Sequence, residues 1–324
     1  MAEPDATELK DRRPPKVSII GAGMVGSSLA YTLIAYRSAG DVVLVDVNRD
    51  RAEGEAMDLR HALPFSAPTD VIAGDYDDCR DSDVIVITAG LAQVPGESRL
   101  DLVGRNVEIF KDIIPRLQDA AADAILLIVS NPVDVLTYAA MKISGLPWQR
   151  VVGSGTALDT ARFRYELSAV CRVDPRNVHA YIIGEHGDSE VPIWSQTKVT
   201  GMEFPRFCRE SGRECSQATL DGVFDRVKNA AYEIIRLKGS TYWAIALGAT
   251  RMVEAILRDQ HTIVTASTLV QGQYGLSDIC LSLPVVLDRG GVDRIIELPI
   301  TELERQAVAK SAEVLRDTLA AVGF

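Results

Sequence analysis

The sequence predicts an α/β fold in which a Rossmann-type doubly wound parallel sheet is followed by a mixed α+β domain. A glycine cluster directly follows a short apolar run near residue 20, and apolar runs of strand length then alternate with helical segments up to about residue 155. Beyond that point the pattern changes. Regular alternation of strands and helices is typical of a parallel sheet with helices on both faces. We expect an N-terminal extension at residues 1–15 and domains at 16–155 and 156–324.

The first half supplies the predicted parallel sheet. Its β-branched and aliphatic runs at 17–20, 42–45, 70–73, 84–88, 124–129 and 151–152 are typical of buried strands. The segments at 51–61 and 100–117 have helical character. Five or six strands of this kind, separated by helices, predict a doubly wound sheet.

The second half is predicted to be mixed. Residues 157–171, 220–234 and 303–319 have helical periodicity, and 177–183 and 191–199 resemble strands. The runs at 279–286 and 292–298 flank the turn LDRGG, which is typical of a hairpin. Because the chain has no proline-rich linker, we expect the two halves to pack directly, with a ligand crevice at the carboxyl ends of the strands.

Composition excludes several functional classes. The chain has 324 residues, 47% of them hydrophobic, so it is long enough to bury two cores. A net charge of −11 argues against nucleic acid and anionic membranes as partners. No apolar run is long enough to span a membrane, and residues 1–15 lack the apolar segment of a signal peptide. Five cysteines without C-x-x-C spacing predict a reducing, cytoplasmic location and no metal centre.

The glycine cluster predicts a dinucleotide site. Gly21, Gly23 and Gly26 fit G-x-G-x-x-G, in which the first glycine permits a tight turn and the second lets a pyrophosphate approach the backbone. The third lets helix and strand pack closely, and the helix N-terminus offers free N–H groups to phosphate. The pattern alone also occurs in ordinary turns. We expect Met24, Val25 and Gly90 to lie beside the cofactor.

Asp46 indicates which dinucleotide binds. It closes the second apolar run, about 20 residues after Gly26. A carboxylate there accepts hydrogen bonds from ribose hydroxyls and repels a 2′-phosphate, which favours NAD over NADP. The alternative is an aspartate that only caps a turn.

Two segments of the second half carry acid–base and anion-binding chemistry. His186 lies in GEHGD, a glycine-flanked turn after a strand, and a histidine with a pKa near neutrality suits proton abstraction from a hydroxyl group. Asp159 and Arg162 are at i and i+3 on a predicted helix, where they could orient an imidazole and clamp a carboxylate. The alternatives are a structural histidine and an ordinary surface ion pair.

With these motifs the chain resembles the L-lactate and L-malate dehydrogenases, and within them the bacterial lactate enzymes. The resemblance runs from about residue 17 to the C-terminus through GAGMVG, AGLAQVPGESRLDLVGRN, SNPVDV, GSGTALDTARFR, GEHGDSE and KGSTYWAIA. It implies reversible hydride transfer between NADH and pyruvate, giving L-lactate and NAD. His186 is then the acid/base, Asp159 its partner and Arg162 the clamp on the substrate carboxylate.

The resemblance also assigns roles nearer the cofactor. Arg99, carried by the 90–98 loop, would polarise the substrate carbonyl; Asn131 would lie near the substrate oxygen and the nicotinamide; and Thr241 would line the substrate pocket. Gln93 stands where the malate enzymes carry an arginine. Because a neutral amide leaves a second substrate carboxylate unpaired, Gln93 favours a monocarboxylate.

A final implication concerns assembly and regulation. Arg164 and His179 match basic residues that bind fructose 1,6-bisphosphate across a subunit interface in the bacterial lactate enzymes, and the resemblance implies a homotetramer activated in this way. A surface arginine and a satisfied strand histidine are the alternative. For the whole protein, the rival functions are a malate dehydrogenase and a catalytically silent NAD-binding redox sensor.

Overall fold

A nine-stranded sheet organises the computed structural model, which describes residues 13–66, 68–91, 99–213 and 215–324. Six of its strands are parallel and lie in the order β3-β2-β1-β4-β5-β6. Their bounds are β1 Lys16–Ile20, β2 Asp41–Val45, β3 Asp70–Ala73, β4 Val84–Ile87, β5 Ile125–Ile128 and β6 Val151–Gly153. This order reverses direction between β1 and β4, so the predicted doubly wound sheet is confirmed.

Helices connect these strands and cover both faces of the sheet. They are α1 Met24–Ala35, α2 Arg49–Ala62, α3 Arg99–Ala120 and α4 Val133–Ser144. Alternate residues of β1 enter two different cores: Val17 and Ile19 pack with α1, whereas Ile20 packs with α3 and α4. Both faces of the parallel sheet are therefore covered by helices and shielded from water, which explains why its strands appear in the sequence as nearly continuous apolar runs. No helix in the described part of the chain is long and apolar enough to cross a membrane.

The second half begins with α5 and contains several short strands. Its elements are α5 Ala157–Cys171, β7 Val178–His179, β8 Ile182–Ile183, β9 Val191–Pro192, β10 Lys198–Val199, β11 Met202–Glu203, α6 Phe204–Glu210, α7 Gln217–Lys238, α8 Trp243–Leu257, β12 Thr262–Gln271, β13 Ser277–Asp288, β14 Gly291–Ile295 and α9 Glu302–Ala321. The hairpin expected around LDRGG is β13–β14.

The two halves share one sheet. Strand β12 runs antiparallel to β6 and pairs Ser267 with Gly153, and β13 and β14 continue the sheet beyond it. A Cβ on Gly153 would lie 2.3 Å from Thr137 Oγ1 and 2.9 Å from Ser267 Cβ. The close approach of α4 and β12 therefore requires glycine at this junction.

The segment at 191–199, expected as one strand, is broken. A 3₁₀ turn at Trp194–Gln196 separates β9 from β10. The Trp194 ring packs edge-on against Phe163 at 4.9 Å, and the Ser195 N–H donates to Glu304 at 3.0 Å. These contacts with α5 and α9 outweigh the local strand preference, because tertiary packing overrides β-propensity.

Candidate active site

The glycine turn between β1 and α1 forms an open backbone cradle. Gly21 has φ +108°, and its N–H donates to Val45 O at 2.7 Å. A Cβ on Gly26 would lie 1.9 Å from Gly21 O, so helix and strand meet at a distance that only glycine permits. Gly23, at the N-terminus of α1, has no atom within 4 Å of its Cβ position. A phosphate group fits this open, N–H-rich end of the helix.

Asp46 lies beside this cradle at the end of β2. Its Oδ2 accepts from the Ala22 N–H at 2.7 Å and its Oδ1 accepts from the Asn48 N–H at 2.8 Å. Asp46 does cap a turn, as the alternative interpretation held. Each carboxylate oxygen has a further lone pair, and the side chain is only half-buried, so the carboxylate can also accept bonds from ribose hydroxyls.

Asn106 joins the ends of two neighbouring strands and was missed from the sequence. It is 1% exposed on α3; its Oδ1 accepts from the Leu91 N–H and its Nδ2 donates to Asn131 O, both at 2.9 Å. The segments that carry Gly90 and Asn131 are thereby held side by side. The sequence signal that could have identified Asn106 was its position as a polar residue within the apolar face of α3.

His186, Asp159 and Arg162 form one hydrogen-bonded chain. His186 Nδ1 donates to Asp159 Oδ2 at 2.5 Å, and Arg162 Nη1 donates to Asp159 Oδ1 at 2.8 Å. The side chains of Asp159 and Arg162 are 4% and 16% exposed, so this is a buried network and not the surface ion pair of the alternative interpretation. With Nδ1 bonded, Nε2 is the ring nitrogen left to exchange a proton.

The electrostatics of this chain favour a charged imidazole. Burial lowers the pKa of His186, but the charge and hydrogen bond of Asp159, with Asp134 and Glu190, outweigh burial and raise it to about 9. The Asp159 pKa is lowered: burial opposes ionisation, and the charges of His186 and Arg162 overcome that effect. The expectation of a near-neutral histidine pKa is therefore wrong. At neutral pH His186 holds a proton that it can donate.

Asp134, at the start of α4, anchors the histidine turn. Its Oδ2 accepts from the His186 backbone N–H at 2.7 Å and its Oδ1 accepts from Ser282 Oγ at 3.1 Å. Burial raises the Asp134 pKa to about 6. The carboxylate joins α4, the histidine turn and β13, and its importance was also missed because its partners lie far away in sequence.

A cavity of about 540 Å³ between α5, α7 and the start of α8 brings further predicted residues together. Arg162 and Thr241 both line it, among apolar groups that include Leu158, Val227 and Trp243. The structure thus places Thr241 on the same cavity as the guanidinium. A largely apolar wall with cationic groups at Arg162, Arg226 and Lys238 suits a small carboxylate with a hydrocarbon end.

The two predicted effector residues lie on adjoining segments. Arg164 lines a second cavity, of about 420 Å³; its Nε donates to Ala180 O at 3.1 Å and its guanidinium lies 5.6 Å from the Tyr181 ring centroid. His179, next to Ala180, is exposed on β7 and pairs with Lys198 of β10. Burial lowers the Arg164 pKa, and no ion pair found among the described residues neutralises it.

Two predicted residues are not placed. Gln93, within 92–98, and the side chain of Arg99 lie outside the described residues, although α3 begins at Arg99. Met24, the first residue of α1, is 47% exposed, and Asn131 is exposed where the chain leaves β5. Because Met24 follows β1 and Asn131 follows β5, and these strands are parallel, both residues lie at the carboxyl edge of the sheet, where the glycine turn opens.

Comparison with known proteins shows which family this chain belongs to. The family model for the lactate/malate dehydrogenase NAD binding domain matches residues 15–153, and that for the lactate/malate dehydrogenase alpha/beta C-terminal domain matches residues 156–323. The L-lactate dehydrogenase of Thermoanaerobacter sp. (strain X514) is 52% identical over 304 residues, covering 94% of this chain and 98% of that protein. That of Synechococcus sp. (strain JA-3-3Ab) is 51% identical over the same shares.

Solved structures of lactate dehydrogenases have the same fold as this chain. The minor L-lactate dehydrogenase of Enterococcus mundtii, in a ligand-bound form, superposes with a TM-score of 0.92 at 43% identity, over 95% of this chain and 98% of that one. A lactate dehydrogenase from a Medee basin deep-sea metagenome library gives 0.93 at 42% identity, over 97% and 100%.

Proposed function

The chain belongs to the lactate/malate dehydrogenase family, and we propose that His186 carries the proton in its reaction. That reaction is the NAD-dependent interconversion of pyruvate and L-lactate, because the relatives it matches over most of its length are L-lactate dehydrogenases. The single observation that supports this role is the buried His186–Asp159–Arg162 chain. When bound, the nicotinamide supplies the hydride to the carbonyl carbon. His186 Nε2 donates a proton to the carbonyl oxygen, and in the reverse direction it accepts the hydroxyl proton.

Each member of the chain has a distinct proposed role. Asp159 stabilises the imidazolium, fixes its orientation and remains ionised, as its lowered pKa requires. Arg162 uses Nη1 to hold Asp159, which leaves the other guanidinium nitrogens to clamp the substrate carboxylate. Thr241, on the same cavity, lines the space for the substrate methyl group. The site then positions a 2-oxo acid between the carboxylate clamp and the acid.

The remaining site residues complete the proposal. Gly21, Gly23, Met24, Val25, Gly26, Asp46, Gly90 and Asn131 would bind NAD, which the open cradle at Gly23 and the carboxylate of Asp46 support. Arg99 would stabilise charge on the substrate oxygen. Gln93 on that loop would leave the second carboxylate of oxaloacetate unpaired.

We expect kcat/KM for pyruvate to exceed that for oxaloacetate by about 10²-fold or more, because an unpaired buried carboxylate costs several kcal/mol. We also expect NADH to be preferred to NADPH, since Asp46 repels a 2′-phosphate. Steady-state assays with both oxo acids and both nucleotides measure these ratios. A preference for oxaloacetate would instead indicate a malate dehydrogenase, and absence of turnover with tight NADH binding would indicate a silent NAD-binding sensor.

Regulation by fructose 1,6-bisphosphate is proposed from Arg164 and His179. Arg164 and the neighbouring Lys198 supply positive charge for phosphate groups, and the adjoining exposed ring of His179 adds an N–H donor. An effector there would act on α5, which carries Asp159, Arg162 and Arg164 along one helix.

We expect fructose 1,6-bisphosphate to lower the apparent KM for pyruvate severalfold, and Arg164→Gln to abolish the effect while leaving the effector-free KM near normal. Initial rates at low pyruvate, with and without the sugar bisphosphate, measure it. Arg206→Gln is a control, because that exposed arginine pairs with Glu210 and does not line the cavity beside Arg164. An unchanged KM in the wild-type protein excludes the proposed regulation.

Three broader proposals accompany the function. The ranges of the two family models support a division of the chain near residue 155 into NAD-binding and substrate domains. A cytoplasmic location is supported by the five cysteines, all of which are free thiols. A homotetramer is proposed from the family resemblance and from effector residues expected to act across a subunit interface.

A further inference from the structure

Glu190 is a buried carboxyl in the turn that carries His186. It lies four residues after His186, immediately before β9, and is 8% exposed. Its backbone N–H donates to Gly187 O at 3.3 Å, which closes the turn that carries the histidine. Its Oε1 is fully buried and has no hydrogen-bond partner among the described residues. Buried carboxylates in proteins normally accept several hydrogen bonds, so this one is unsuited to hold a negative charge.

The surroundings of Glu190 are the charged groups of the proposed active site. Asp159 and Arg162 face it from α5, His186 from its own turn and Lys228 from α7. Burial, followed by the negative charge of Asp159, raises the Glu190 pKa to about 8, although the three cations lower it. At neutral pH the Glu190 carboxyl is therefore predominantly neutral.

The negative charge that an ionised Glu190 would carry explains why its neutral form suits the reaction. Asp159 and Asp134 already place two carboxylates on the hydrogen-bonded groups around His186, and the substrate adds a third when it binds. An ionised Glu190 would add an unpaired negative charge beside the carboxylate clamp, in a site whose low dielectric strengthens the repulsion.

We propose that Glu190 is a positioning residue that must be protonated for the site to accept a carboxylate substrate, so that its ionisation expels pyruvate while leaving the catalytic step intact. This inference rests on the proposed function, because it concerns the same substrate site. It makes substrate affinity depend on two protons, one on His186 and one on Glu190. If His186 were the only group that must be protonated, substrate affinity would depend on one proton.

The first test is the pH dependence of Glu190→Gln, which keeps the size of the side chain and removes its ionisation. Both groups must be protonated in the wild-type protein, so log kcat/KM for pyruvate should fall at high pH with a limiting slope of about −2, and the variant should give about −1. The difference should lie in KM, with kcat near that of the wild type below pH 7. Glu203→Gln, at an exposed position on β11, should keep the wild-type slope.

A slope of about −1 in the wild-type protein, or equal slopes in wild type and Glu190→Gln, would overturn the proposal. The slope is the chosen readout because loss of the Glu190 charge also lowers the His186 pKa, which moves the midpoint without changing the number of protons. Loss of pyruvate reduction at every pH in the wild type would instead refute the proposed function.

A second measurement is decided by the wild-type protein itself. Oxamate, an isostere of pyruvate, should bind to the NADH-saturated wild-type protein near pH 9.5 with uptake of more than one proton, measured by calorimetry in two buffers of different ionisation enthalpy. Glu190→Gln should take up one proton at most. Wild-type uptake that never exceeds one proton would exclude Glu190 as the second group.

Discussion

We expect His186→Gln to lower kcat for pyruvate reduction by about 10²- to 10⁴-fold, the range that general acid catalysis contributes. A glutamine amide can still donate to Asp159, so the hydrogen-bonded chain keeps a member at this position. It cannot release a proton to the substrate oxygen at neutral pH. NADH affinity should change little, because the glycine cradle and Asp46 do not contact the histidine. Steady-state kinetics and titration of NADH fluorescence measure the two effects.

The matched control is His261→Gln, since His261 is exposed and remote in sequence from the site. Its kcat should equal that of the wild type. The wild-type pH profile gives an independent check. Because the His186 pKa is raised to about 9, the contribution of His186 to pyruvate reduction is present below that pH and lost as the pH rises through it, whereas lactate oxidation gains a proton acceptor. A kcat for His186→Gln within tenfold of the wild type would assign the proton to another group.

The parallel sheet was predictable because its central strands are buried on both faces. Val42, Leu44 and Val84 enter one core, and Val43 and Ile85 enter the other, so strands β2 and β4 appear as uninterrupted apolar runs. Helix α5 was predicted at 157–171 and observed at Ala157–Cys171, since its periodic pattern is bounded on both sides.

Strand β12 was not predictable in the same way. Its buried residues include Thr265, Ser267 and Thr268, which give no apolar alternation. The strand exists because it pairs along nearly its whole length with β13 and meets β6 at Gly153. These are long-range pairings, and the local sequence carries little trace of them. That one sheet joins both halves of the chain was therefore visible only in the structure.

The same distinction applies to the site. His186, Asp159 and Arg162 could be proposed from short motifs with unusual residue types. Asp134 and Glu190 could not, because their importance depends on burial and on partners in other elements. The raised His186 pKa was misjudged for the same reason: three carboxyl groups surround the ring in space, and the sequence indicated only one of them.

The second large effect is expected at Arg162. Arg162→Lys should raise the KM for pyruvate by about 10²-fold or more. The Arg162 guanidinium holds Asp159 through one nitrogen and is proposed to bind the substrate carboxylate through the others, whereas a lysine supplies only one compact charge. Loss of one or two charge-assisted hydrogen bonds, each contributing about 1.5–3 kcal/mol, corresponds to a change of that size. kcat at saturating pyruvate should fall much less, since the proton donor is unchanged.

Arg226→Lys is the matched control for this effect. Arg226 lines the same cavity as Arg162, but its side chain is 55% exposed and pairs with Glu166 in a surface ion pair. Such pairs contribute little, so KM should remain within about twofold of the wild type. If both variants gave a near-normal KM, the substrate carboxylate would have to bind another cation. If both raised it equally, general cavity charge, rather than the two-bond geometry of Arg162, would account for substrate binding.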